Sequence, residues 1–256
     1  MGHLGSRDPS LSATWGGFAD RALARDHQAM RADSVEASEW DAARVNQVLP
    51  ASVDPAAATM MITWRETFSY AIRIGVAETR RILVVGSGGN GLAFACHARN
   101  LGVRTIAMVG SALREERGRA AGATHYYDYR DEEVARTVLG ELGRFPLVID
   151  AVGKKASVAA ASALLEGDGT LGIYGIEEYH ELALDLRLFA SSFHVYRGGY
   201  DEEESHEEVV RLVERGDLDA RVWLDLDSPF DLGQIGSAFA ALADGDGVKA
   251  LIRIRG

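Results

Sequence analysis

The stretch Arg81-Ile82-Leu83-Val84-Val85-Gly86-Ser87-Gly88-Gly89-Asn90-Gly91 decides the fold. Ile82 to Val85 are apolar and largely β-branched, which marks a buried strand, and Gly86 ends the run. Gly86, Gly88 and Gly91 then stand at the spacing G-x-G-x-x-G, and a helical pattern begins at Asn90 and runs to Leu101. Each glycine has a physical task in such a turn. The first permits the sharp exit from the strand, the second lets a pyrophosphate approach bare backbone, and the third lets helix and strand pack closely. The helix start adds free N–H groups and partial positive charge, so Ser87, Gly89 and Asn90 join the three glycines as expected dinucleotide contacts.

The surroundings repeat the alternation. Strands are expected at Thr105 to Val109, His125 to Tyr129, Leu147 to Ala151, Leu171 to Tyr174 and Phe193 to Tyr196. Helices are expected at Leu113 to Ala121, around Val134, Val138 and Leu142 behind an Asp131 cap, and at Ala156 to Leu165. Glu166 to Gly169 reads as a turn. Leu182, Leu184, Leu186 and Leu188 alternate as on an extended segment. Ser205 with Glu208 reads as a capping box ahead of Val209, Leu212 and Val213. Upstream, Asp54-Pro55 starts a helix running to about Ile74 and closed by Gly75. Asp33 to Asn46 reads as a short surface helix. Downstream, a strand over Val222 to Leu226, a helix from Ser228-Pro229 and a last strand over Val248 to Ile254 are expected. The pattern is that of a doubly wound parallel α/β sheet, with ligands at the carboxyl ends of its strands.

Composition narrows the functional class. The chain has 256 residues, 47% of them apolar and 25% charged, with a formal net charge of −11. That charge disfavours nucleic acid or an anionic membrane as partner. No run is long and apolar enough to span a membrane, and Met1 to Asp8 does not read as a signal peptide. The single cysteine, Cys96, permits no internal disulfide, so a reducing, cytoplasmic setting is expected.

The second strand bears on the cofactor. It ends Met108-Val109-Gly110-Ser111, without the Asp or Glu that accepts from the ribose hydroxyls of NAD. A serine hydroxyl with Arg114 and Arg117 downstream suits the extra phosphate of NADP, so NADP is expected over NAD.

These residues together resemble the medium-chain, zinc-type alcohol dehydrogenase superfamily. The resemblance is carried by Trp15-Gly16-Gly17-Phe18-Ala19-Asp20, Leu49-Pro50, the glycine stretch, Gly122-Ala123-Thr124, Ile149-Asp150-Ala151-Val152-Gly153, Gly167-Asp168-Gly169-Thr170-Leu171 and Gly247-Val248-Lys249. It implies a Rossmann domain over residues 54–217. Residues 1–53 and 218–256 are then a reduced remnant of a GroES-like catalytic domain. The Gly110-Ser111 step and Tyr129 resemble the NADP-dependent branch, although Ala112 stands where that branch has Arg, and Arg114 would have to substitute. The resemblance further implies that Ala151, Val152, Gly153, Tyr174, Gly175 and Ile176 line the nicotinamide, and that the last strand of the sheet pairs across a two-fold axis in a homodimer.

The family's zinc ligands precede the Trp-Gly-Gly-Phe region and are not found, and its third ligand would fall near Thr59-Met60, so no zinc is expected. Cys96 reads as packed and His97 as a surface residue. The proton donor must then be a side chain or ordered water. Thr59, Arg65 and Tyr174 are the candidates, with Arg65-Glu66 a pair and Trp64 and His194 further options. Two readings stay open. One is a zinc-independent NADP-dependent oxidoreductase acting on a small carbonyl, alcohol or activated alkene. The other is a nucleotide-binding module without catalysis, or a truncated dehydrogenase.

Overall fold

A computed structural model describes residues 26–178, 184–245 and 247–254. Two short helices, α1 (His27–Ala32) and α2 (Ala37–Trp40), come first. The helix expected from Asp54 to Ile74 is divided into α3 (Pro55–Ala58) and α4 (Met61–Arg73). Asp54 caps the first piece by accepting from Ala56 N–H at 2.7 Å, and Gly75 closes the second at φ 87°. The break lies at Thr59, whose hydroxyl turns back to the Ala56 carbonyl at 2.7 Å.

Then follow β1 (Arg81–Val85), α5 (Gly89–Asn100), β2 (Thr105–Gly110), α6 (Glu115–Ala121), β3 (His125–Asp128), α7 (Val134–Leu142), β4 (Phe145–Asp150), α8 (Lys155–Ala163), β5 (Leu165–Ile173), β6 (Phe193–Tyr196) and α9 (Glu202–Glu214). The six strands form one sheet in the order β3-β2-β1-β4-β5-β6, every neighbour parallel. This is the doubly wound Rossmann-type order, in which strands are added outward on one side of β1 and then, from β4, on the other. The sheet is apolar on both faces. Ile82, Val84, Ile106 and Ile149 join the core that includes α4, α5 and α9, while Leu83, Val85, Val148 and Leu171 join the core that includes α7 and α8. Burial on both sides is why the strands read as continuous apolar runs.

Several local expectations are corrected. The 166–169 turn is drawn into β5, where the register against β4 shifts and Asp168 takes φ 61°, its N–H bonded to the Ser192 carbonyl at 2.7 Å. Leu186–Leu188 is a 3-10 turn capped by Asp185, and Leu182 lies outside the described residues. The Ser205–Glu208 box does not form: Asp201 caps α9 four residues earlier, and Ser205 is buried inside the helix. Residues 222–226 are no strand; a 3-10 turn, Ala220–Val222, delivers Trp223 into the core. The Ser228-Pro229 helix starts later, as α10 (Ile235–Ala243), behind β7 (Phe230–Asp231), which pairs with β8 (Ile252–Arg253). His97 is fully buried rather than exposed, its Nε2 3.0 Å from the Thr67 hydroxyl. The Trp15–Asp20 run lies outside the described residues.

The C-terminal segment packs against the glycine loop. Trp223 meets Trp64 edge-on at 5.6 Å and donates its indole N–H to the Gly89 carbonyl at 2.8 Å.

Candidate active site

The glycine turn is built as its spacing requires. Gly86 sits at φ 110°, a region that favours glycine, with its N–H on the Val109 carbonyl at 2.8 Å. A Cβ on Gly91 would lie 2.0 Å from the Gly86 carbonyl oxygen, so helix and strand can meet only through glycine there. At Gly88 a Cβ would meet nothing within 4 Å, because that backbone opens on a cavity. No side chain caps the start of α5, which leaves its first N–H groups for a ligand. The turn therefore fits a pyrophosphate on bare main chain.

That cavity has a volume of about 680 Å³ and follows the carboxyl ends of the strands. Gly86, Ser87 and Gly88, Gly110 and Ser111, Arg114, Tyr129, and Ala151 and Val152 all line it. Its far corner is held by a small polar network. Ser87 accepts from Ser111 N–H at 3.0 Å, and Tyr126 donates to the Ser111 carbonyl at 2.7 Å. Gly110 has no room for a side chain between them, since a Cβ would lie 2.4 Å from the Tyr126 hydroxyl. Arg114 donates to the Gly245 and Gly247 carbonyls at 2.9 and 3.1 Å and lies 3.4 Å from that of Ser87. Arg117 points elsewhere, to the Val222 carbonyl at 2.9 Å. Arg130 lines the cavity instead, lying over the Tyr129 ring.

A second cavity of about 520 Å³ shares Ala151, Val152 and Glu177 with the first. Asn90, Tyr174, Gly175 and Ile176 lie on it, together with Glu66, Tyr70, Arg197 and Tyr200. Gly89, Gly91 and Gly153 line neither cavity and serve as supports. Gly153, at φ 83°, rests on Gly175, where a Cβ would lie 2.3 Å from main chain. Asp150, buried under both turns, accepts from Gly153 N–H at 2.8 Å and from Val152 N–H at 3.3 Å. Its main-chain carbonyl takes the Tyr174 and Gly175 N–H groups, both at 3.0 Å. Burial raises its carboxyl pKa, and those N–H bonds oppose the rise.

Thr59 and Arg65 line neither cavity. Arg65 is buried in an ion pair with Glu202 at 2.6 Å and donates to the Val45 carbonyl at 2.9 Å. Tyr174 does face the second cavity, stacked edge-on against Phe94 and Tyr70 with its hydroxyl 3.5 Å from Glu66. Burial raises the pKa of Glu66, and hydrogen bonds from Tyr200 and Tyr174 oppose the rise. Burial and the Glu66 charge push the Tyr174 hydroxyl up, and the same causes push that of Tyr200 up to about 12.

The family model for zinc-binding dehydrogenases matches residues 89–214. Over those residues the chain is similar to the zinc-type medium-chain alcohol dehydrogenases. Alcohol dehydrogenase notN of Aspergillus sp. MF297-2 is 25% identical over 235 residues, which are 90% of this chain and 61% of that protein. The solved alcohol dehydrogenase TADH of Thermus sp. ATN1 superposes with a TM-score of 0.71 at 20% identity, covering 81% of this chain and 62% of that one. A zinc-binding dehydrogenase from Sinorhizobium meliloti 1021, solved with NADP, gives 0.64 at 17% identity over 75% and 57%. The chain thus spans about 60% of the length of each of these proteins.

The dehydrogenase name implies zinc, and the described residues do not fit it. Among them no three His, Cys, Asp or Glu side chains are placed to hold a metal ion. Thr59 gives its hydroxyl to Ala56, and Met60 is fully buried in the core. Burial pushes the Cys96 thiol up to about 12, far from the thiolate that a metal takes.

Sequence reasoning named Glu66 only as the neighbour of Arg65 and passed over Tyr200, Arg130 and Lys249 as site residues. Glu66 had a readable signal. Neighbours on a helix point about 100° apart, so Arg65 and Glu66 meet largely different surroundings. Lys249 had a weaker one in the closing Gly247-Val248-Lys249. Its aliphatic stem would lie 3.1 Å from a Cβ on Gly89, and burial lowers its pKa while Glu66 opposes that.

Proposed function

We propose that the chain is an NADP-dependent oxidoreductase working without zinc on a small carbonyl, alcohol or activated alkene. The observation that carries this reading is the continuity of the two cavities across Ala151 and Val152. One end is a phosphate corner without an acid at Ser111, and the other is a pocket holding Glu66 and Tyr174. When bound, the nicotinamide supplies the hydride. The chain's own groups bind and orient. Main chain at Gly88 and the start of α5 would take the pyrophosphate, with Lys249 close by. Ser111, Arg114 and Arg130 would take the adenosine phosphate, with Tyr129 beside them. Val152 and the Tyr174-Gly175-Ile176 main chain would hold the carboxamide face. On this reading residues 54–217 carry the cofactor, while residues 1–53 and 218–256 contribute the substrate side. The outer edge of β6 would pair with a second copy.

Fluorescence titration with NADPH and NADH tests the proposal, followed by a screen of aldehydes, ketones and quinones for NADPH oxidation. NADPH is expected to bind tighter. Ser111→Asp should weaken it about ten- to hundred-fold and leave NADH nearly unchanged, because the new carboxylate repels only the extra phosphate. An unchanged preference in that variant refutes the NADP assignment. Tight NADPH binding without turnover on any of the three classes would favour a nucleotide-binding module.

A further inference from the structure

We infer that Glu66 is the acid–base residue of the second cavity, its carboxyl held by the hydroxyls of Tyr174 and Tyr200 and exchanging a proton with the substrate oxygen. The inference rests on the oxidoreductase reading above and assigns the group that the reading leaves open. Two acids line this cavity. Glu177 is tied to Lys154 at 3.1 Å and also lines the outer cavity. Glu66 stands on the inner wall, projecting from a helix otherwise buried along most of its length. Its carboxylate meets tyrosine hydroxyls, and among the described residues no guanidinium or ammonium lies within ion-pair distance of it. A carboxyl in that setting is walled by the rings of Tyr70, Tyr174 and Tyr200, and its burial outweighs the charges that favour ionisation from a distance. It holds a proton closer to neutrality, the state that a general acid needs.

The groups facing Glu66 come from four directions. Arg65 neighbours it on α4 but is committed to Glu202 of α9. Tyr174 approaches from the end of β5, Tyr200 from the segment before α9, and Lys249 from the C-terminal segment. Glu202 and the two tyrosines resist ionisation of Glu66 or stabilise it only by hydrogen bonding, whereas Arg65 and Lys249 favour it from a distance.

The step balances as follows. In carbonyl reduction the carbon receives hydride from the reduced nicotinamide, and the C=O π pair moves onto oxygen. The Glu66 O–H bond breaks, its proton forms the new O–H bond, and the carboxylate remains. Solvent returns a proton by way of Tyr200, which is 43% exposed. Alcohol oxidation runs the same transfers backwards, with Glu66 as base.

Glu66→Gln keeps shape and polarity and removes the proton. NADPH titration should give an affinity within about two-fold of wild type, which also certifies the fold. Turnover of benzaldehyde, or of the best aldehyde in the screen, should fall about a hundred-fold or more in kcat with KM little changed. The alkaline limb of the wild-type pH profile should vanish, and Glu66→Asp should restore part of the rate. A readout independent of turnover is the infrared C=O stretch of a protonated carboxyl in the cofactor-free protein. A band persisting above pH 5 in wild type and missing in Glu66→Gln supports the assignment.

Intact NADPH binding with wild-type turnover and pH profile in Glu66→Gln overturns the assignment alone. So does the absence of a Glu66-dependent carboxyl band, or a wild type that binds NADPH and turns over nothing. A wild type that binds neither NADPH nor NADH overturns the oxidoreductase reading and this inference with it.

Discussion

His97 carries a physical cost that the active site does not share. Its ring is fully buried, packed edge-on against Phe68 at 5.2 Å, with Nε2 beside the Thr67 hydroxyl. Thr67 donates that hydroxyl to the Thr63 carbonyl at 2.6 Å, so the ring must donate from Nε2. Nδ1 is left without a partner, and a second proton there would be buried unpaired. Burial lowers the ring's pKa to about 3. Between about 3 and 6.5 the unfolded chain therefore holds a proton that the folded chain does not. Stability should rise with pH across that window and be complete above it, with a contribution of up to about 1.4 kcal/mol per pH unit. Urea unfolding at pH 4.5, 5.5 and 7 checks this. His97→Gln should flatten the dependence, and an equally steep curve in that variant would refute the account.

At the scale of elements, α4 does two jobs with adjacent residues. One face joins the core through Trp64, Phe68 and Ala71, and the Arg65–Glu202 pair pins the helix to α9. Burial moves both members toward neutrality, lowering Arg65 and raising Glu202 against their mutual attraction. Desolvation therefore offsets much of what the contact supplies. Arg65→Met alone should cost about 3–5 kcal/mol, because it strands a buried carboxylate, whereas Arg65→Met with Glu202→Leu should recover most of that loss. Chemical denaturation of both variants decides it; a double variant as weak as the single would show that the pair itself stabilises the helix contact. The pair also explains a misjudged site. A charged residue beside a glycine-rich fold reads as chemistry, yet here its partner lies 137 positions away and nothing local announces it.

Across the whole molecule, β6 is the last strand of the sheet among the described residues, with Val195 45% exposed. Such an edge invites a second strand. Sedimentation at micromolar concentration is expected to show a dimer, and Val195→Lys to shift it toward monomer; a monomeric wild type would refute edge pairing. The sheet was legible because a strand buried on both faces writes itself as an apolar run, and because the glycines of 86–91 answer to steric demands that only one turn makes. The C-terminal part was not. Val222 to Leu226 has a strand's composition, but Trp223 is claimed by Trp64 and the Gly89 carbonyl, contacts far off in sequence. The meeting of Glu66 with Tyr200 was hidden for the same reason, since 134 residues separate the two side chains.

Arg114 has a consequence for how tightly a phosphate can be held. A guanidinium carries five N–H donors, and three of those on Arg114 reach the carbonyls of Ser87, Gly245 and Gly247. Folding has thus already frozen the side chain, and an arriving anion would find the two remaining donors on an immobilised plane. The rotamer entropy that a loose arginine surrenders at binding is here surrendered beforehand. A lysine, with a single ammonium and no fork, could not latch those carbonyls and still greet the anion.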